Sequence, residues 1–232
     1  MILRSCVSGV ALVLSLGACE NRQQQPESAA PPPETLIAAS PRRLPPIVPR
    51  VEEIALEVQD TIAAGKWDAA ERLTKYLHHA QDSLRAVGAP LRAVANYATN
   101  VSEMKAAIAR RNALDANLAA NRAARAVMMM RQSFASAVPA AVGLMAVDAR
   151  ELFYMAERED WSNMNETVDA LVERYGEIEA HVKQSDPRLD QQVHREFEAL
   201  ARAVASRNAA EVQAIAQRIM QQTDQIGRTY GV

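Results

Sequence analysis

Beyond its N-terminal third, prolines cut this chain at a near-constant interval. Pro90, Pro139 and Pro187 stand 49 and 48 residues apart. Some 20 to 22 residues after each comes a polar break: Arg111-Asn112, Asp160-Trp161 and Arg207-Asn208. An earlier break, Gly65-Lys66-Trp67, follows Pro46 by about the same distance. Proline suits the first turn of a helix, where its missing N–H is no loss. Asp186 before Pro187 is a good helix cap. Asp68 with Glu71, Asn112 with Asp115, and Asn208 with Glu211 have cap-like spacing at the breaks. The punctuation therefore predicts four helical hairpins, each pair about 47 residues long.

The apolar positions agree. Before the breaks lie Val51, Ala55, Val58, Ile62; Tyr97, Val101, Met104, Ile108; Met145, Ala149, Leu152, Ala156; and Val193, Phe197, Leu200, Val204. Each set steps by four, three and four, which is one stripe of a helix. After the breaks come Ala70, Leu73, Leu77, Leu84; Met164, Val168, Leu171, Ile178; and Val212, Ile215, Ile219, Ile226. Ala, Glu, Arg, Gln, Leu and Met dominate, and all are strong helix formers. No useful run alternates with period two. The expected fold is all-α, with about eight antiparallel helices spanning 48–230.

Trp67 and Trp161 sit at the breaks of the first and third hairpins, and Arg-Asn-Ala recurs at those of the second and fourth. This alternation predicts a duplicated four-helix unit with halves 48–136 and 138–230. A continuous stack like tetratricopeptide or HEAT repeats is the other arrangement the period allows.

The N-terminus has a different character. Arg4 precedes an apolar run from Val7 to Ala18, too short to span a bilayer, which ends in Leu16-Gly17-Ala18-Cys19. A basic start, a short apolar middle and a small-residue exit describe an export signal over 1–18. The Leu-Gly-Ala-Cys ending resembles the lipobox of bacterial lipoproteins. That resemblance implies cleavage before Cys19, a diacylglycerol on its sulfur and usually a third acyl chain on its amine. Two or more chains anchor a protein stably. Glu20 is not the Asp that holds such proteins at the inner membrane of enteric bacteria. The resemblance therefore leans toward the outer membrane, facing the periplasm. Residues 19–47 follow as a Pro-rich disordered tether; eight of the eleven prolines lie between 26 and 49, too many to build a core.

Charge narrows the partners. Without the signal, 25 basic side chains face 28 acidic ones, which argues against nucleic-acid binding. The two cysteines are Cys6, within the signal, and Cys19, so no thiol is left for a disulfide or a thiolate site. No metalloprotease, phosphate-loop or dinucleotide motif occurs, and the expectation is a non-enzyme with no cofactor beyond the lipid on Cys19.

The remaining candidates for contact are few. The second hairpin carries seven basic and two acidic residues over 90–135, the third four basic and ten acidic over 139–183. These neighbours could attract each other across a shared face. Alternatively, a basic groove with Arg122, Arg125, Asn117 and Asn121 receives an anionic ligand or partner. Ala116, Ala119, Ala120, Ala123 and Ala126 replace the larger residues of the other hairpins, which permits close packing or leaves a pocket. Trp67 and Trp161 either close the ends of helix pairs or mark a contact rim. Glu177 with His181 and Asp190 with His194 are i,i+4 pairs that could together hold a divalent metal. Met128, Met129 and Met130 point three ways round a helix and cannot share one ion. The leading expectation is an envelope lipoprotein that binds or scaffolds a protein partner. The alternative is a carrier of a small apolar or amphipathic ligand, with a metal-binding protein ranked below it.

Overall fold

The computed structural model describes residues 42–231. The signal, Cys19 and the tether as far as residue 41 lie outside the described residues. Nine helices are present among those described. They are α1 (Ile47–Ala63), α2 (Trp67–Ala86), α3 (Leu91–Ala109), α4 (Ala113–Arg131), α5 (Ala140–Glu157), α6 (Met164–Gly176), α7 (Glu179–Ser185), α8 (Pro187–Ala205) and α9 (Ala209–Thr229). The expected stripes form the interior: every stripe residue is buried except Leu73, which packs against the core from its edge.

Five of the connections are the same turn. Gly65, Gly88, Arg111, Glu159 and Arg207 each adopt positive φ, from 51° to 72°, directly after a helix. The N–H of that residue reaches back three positions, and the next N–H reaches back five: Arg111 to Ile108 O and Asn112 to Ala107 O, Arg207 to Val204 O and Asn208 to Ala203 O. This left-handed cap satisfies carbonyls that a helix end leaves free. Asn112 and Asn208 then cap the following helices. Their Oδ1 atoms accept from Asp115 N at 3.1 Å and Glu211 N at 3.2 Å, and their amides donate back to the same acidic side chains. Asp68 departs from expectation: α2 starts one residue before it, at Trp67, with Lys66 in the cap position and no side-chain bond.

The helices close into two rings. α1, α2, α3 and α4 pack in sequence, and α1 returns to α4. α5, α6, α8 and α9 do the same, with α9 returning to α5. Each ring has its own apolar core. An open stack would leave its first and last helices apart. The rings meet where α4 packs on α5. These two central helices therefore have neighbours on several sides, and eleven residues of each are buried. This explains the alanines of α4. Ala116, Ala120 and Ala123 are fully buried, and small side chains let neighbouring helices approach.

Two features depart from the sequence reading. The expected sixth helix breaks after Gly176, a poor helix former, and resumes as the short α7, which inserts Val182 into the second core. The tether also ends earlier than 47. Arg42–Arg43 (β1) pairs in parallel with Phe134–Ala135 (β2). Arg42 donates to Gly88 O at 2.9 Å, and its guanidinium lies 5.1 Å from the Phe134 ring centre. Gly88 has φ of 72°, and a Cβ there would stand 2.6 Å from Arg42 Nη1. Both its backbone angle and its close neighbour favour glycine.

Candidate functional site

The α4/α5 seam gathers most of the charge that the sequence singled out. Arg122 and Arg125 lie one turn apart on α4, and Asp148 and Glu151 lie at the same spacing on α5. Arg122 Nε donates to Glu151 Oε1 at 3.0 Å, and Arg125 Nη2 to Glu151 Oε2 at 3.1 Å. Arg125 Nη2 also stands 2.7 Å from Asp148 Oδ1, a charge contact off the hydrogen-bond direction. Arg174 of α6 closes the cluster, donating from Nε to Asp148 Oδ2 at 2.6 Å. Asp148 has no exposure at all. Burial raises its carboxyl, and the two guanidiniums pull the other way.

This arrangement revises the basic groove. Arg122 and Arg125 are matched by carboxylates of the third hairpin, so neither is a free cation waiting for an anion. Asn121 is also committed to the seam. It is fully buried, donates to Val147 O at 2.9 Å and accepts from Arg150 at 3.4 Å. Asn117 is half-buried, and its Oδ1 has no partner among the described residues. Neither asparagine lines the groove beside the seam.

That groove lies between α3 and α5 with α4 as its floor, and has a volume of about 330 Å³. Asn96, Thr99 and Asn100 form one wall, with Arg122, Glu151 and Met129 opposite and below. Met129 is 42% exposed, whereas Met128 and Met130 are buried, so the three methionines do point different ways. The Asn96 and Thr99 side chains are exposed, and the groove offers amide, hydroxyl, guanidinium and thioether groups together.

Trp67 and Trp161 are half-buried, each packed against the edge of its own ring's core. Closing the end of a helix pair accounts for both.

The four expected metal ligands do not converge. The helix breaks between Glu177 and His181, so i,i+4 spacing no longer brings them together. Glu177 ends α6, and His181 stacks on Tyr230 at 3.9 Å and donates to Thr229 O at 3.3 Å. Asp190 and His194 do meet, at 3.5 Å on α8. Their third neighbour is Glu179, the first residue of α7, whose Oε1 is 3.2 Å from His194 Nε2. Only a break in helix phase just before Glu179 could have revealed it from sequence.

A second pocket of about 200 Å³ lies on the opposite side of the seam, between α1 and α9. Leu56, Ala124, Met128 and Ala146 line it, together with Glu52 and Arg150. Burial raises the Glu52 carboxyl, and Arg131 at 3.5 Å offsets part of that rise. No helix among the described residues is long and apolar enough to cross a membrane. Comparison with known proteins adds no constraint: no family model, curated protein or solved structure matches the chain.

Proposed function

We propose that the protein is a lipid-anchored envelope protein, facing the periplasm, that binds or scaffolds another protein without catalysing a reaction. Cys19 carries the lipid, the outer membrane is the favoured location, and the groove floored by α4 receives the partner. The groove's mixed polar and thioether lining is the observation that carries the binding reading. Asn96 and Thr99 offer donors and acceptors suited to a peptide backbone, and an exposed methionine adapts to varied side chains. The anchor would confine the domain near its partner and raise the effective concentration.

Two measurements test this. Labelling with a palmitate analogue marks the wild-type protein and leaves Cys19→Ala unmarked. A photo-crosslinking amino acid at position 99 then captures one defined protein in the native envelope, and the same probe at exposed Glu198 on α8 does not. An unlabelled, soluble wild type would end the lipoprotein reading. Crosslinks that fail to depend on probe position would end the groove reading.

The α1/α9 pocket favours a second reading, a carrier of a small amphipathic ligand. Its volume of about 200 Å³ is below the ~300–1,000 Å³ usual for such sites, which limits the ligand to a short chain. Solvent extraction of the purified protein followed by mass spectrometry distinguishes the two. A stoichiometric lipid other than the one on Cys19 supports the carrier.

A further inference from the structure

Asp190 is a buried carboxylate with an unusual shortage of counter-charge. It is 7% exposed, yet among the described residues no lysine or arginine pairs with it. Its contacts are the Tyr175 hydroxyl, which donates to Oδ1 at 2.8 Å, and His194 Nε2 at 3.5 Å. Asp148, which is more deeply buried still, has two guanidiniums. Buried charges are normally paired or bound to a metal, because an isolated one is costly.

We propose that Glu179, Asp190 and His194 form a site for a divalent transition-metal ion that fastens α7 to α8. One donor atom from each residue lies within 4.8 Å of the other two. Glu179 Oε1 and His194 Nε2 are 3.2 Å apart, and His194 Nε2 and Asp190 Oδ1 are 3.5 Å apart. Donors bonded to one ion at about 2.0–2.1 Å in tetrahedral geometry stand roughly 3.3 Å from one another. The two spacings from His194 are already close to that, and the third pair lies within 4.8 Å. An imidazole with two carboxylates suits zinc or a similar borderline ion, whereas calcium selects oxygen alone.

The surroundings hold the donors in place. The Tyr175 ring meets His194 edge-to-face, with centres 5.5 Å apart and planes at 88°. The Tyr175 hydroxyl orients Asp190, as outer partners of metal ligands commonly do. His194 and Glu179 are about half exposed, so an ion can enter and retain water. α7 has seven residues and one fully buried side chain, Val182, so a bond from its first residue to α8 would restrain it substantially. The inference does not depend on the partner-binding reading.

The test uses the full-length chain purified in detergent and stripped of metal. Titration with zinc chloride at neutral pH is followed by calorimetry, and hydrogen exchange is measured across residues 177–186. The expected result is saturable uptake of one zinc ion with slower exchange in that segment. His194→Ala and Glu179→Gln each lower the affinity at least tenfold and remove the protection, while His78→Ala/His79→Ala leaves both intact. Because His194 and Glu179 are on the surface, circular dichroism is expected to match the wild type. Absence of saturable zinc uptake overturns the proposal. So does uptake that survives His194→Ala, or calcium binding as tight as zinc.

Discussion

Arg174 Nε lies 2.6 Å from Asp148 Oδ2, and this contact ties α6 to a carboxylate that no water reaches. Asp148 sits at the centre of the join between the two rings, held from α4 by Arg125 and from α6 by Arg174. Removing one member of a buried ion pair leaves the other charged and unpaired, which costs about 3–5 kcal/mol. Asp148→Ala leaves the Arg174 guanidinium in that condition, while Arg125 keeps Glu151, and both retain some access to solvent. The expected loss is about 3 kcal/mol in urea unfolding, toward the lower end of that range. Arg174→Met leaves Asp148 paired to Arg125 and is expected to lose less. Equal losses from the two variants would show that the cluster does not work through Asp148.

Glu52 makes the stability depend on pH. Burial raises its carboxyl, so the folded chain holds this proton more tightly than the unfolded chain does. Below the ordinary carboxylate range the group is protonated in both states and costs nothing. As pH rises through the raised value, ionisation inside the fold becomes a growing penalty. Glu52→Gln removes it. The melting temperature of the variant relative to wild type is therefore expected to climb as pH rises from about 4, in the ordinary carboxylate range, through the raised value. A difference that shrinks over that interval would mean that the Arg131 contact outweighs desolvation.

The helical stripes and the Asn112 and Asn208 caps were legible because they are local. Period and cap chemistry act within a few residues, and both survived into the structure. The seam was half legible. Charge balance put an excess of cations on one hairpin and of anions on the next, but only packing selects Glu151 for Arg122 and brings in Arg174 from a third helix. Glu177 with His181 failed for a definite reason: i,i+4 reasoning presumes an unbroken helix, and the turn at Glu177-Ile178 changes the phase. The docking of Arg42–Arg43 on Phe134–Ala135 was out of reach, since two residues carry no period and the pairing spans most of one ring.

Three of the four hairpin turns place an ordinary side chain in left-handed backbone. Arg111, Glu159 and Arg207 have φ near 50°, whereas Gly65 fills the matching place in the first hairpin. For a side chain bearing Cβ this costs about 1–2 kcal/mol, and glycine gives back roughly 0.5–1 of that through its freer unfolded chain. Arg111→Gly and Arg207→Gly are each expected to stabilise by about 0.5–1 kcal/mol. The turns lie in different rings with no shared partner, so the double variant should show the sum. Thermal unfolding reads both. A destabilised Arg207→Gly would show that its side chain contributes something the left-handed geometry conceals.

Gly143 shows how closely α4 and α5 approach. A Cβ at this position would stand 2.5 Å from Met128 Sδ, and Met128 is itself 2% exposed. On helix propensity alone, Gly143→Ala should stabilise α5 by about 1 kcal/mol. The contact works against this, because adding a methyl group to a packed seam costs typically 1–3 kcal/mol. The thioether is flexible and lines the α1/α9 pocket, so it can give way in part, and a net loss of at most about 1 kcal/mol is expected. Met128→Ala removes the obstruction and costs about 2–5 kcal/mol through the cavity it leaves. In the double variant, the new methyl group enters space the thioether has vacated. The combined loss should therefore fall short of the sum by at least about 1 kcal/mol, a coupling that urea unfolding of the four proteins measures directly. Strict additivity would mean that the helices can part by a few tenths of an ångström without cost, and that Gly143 does not set their separation.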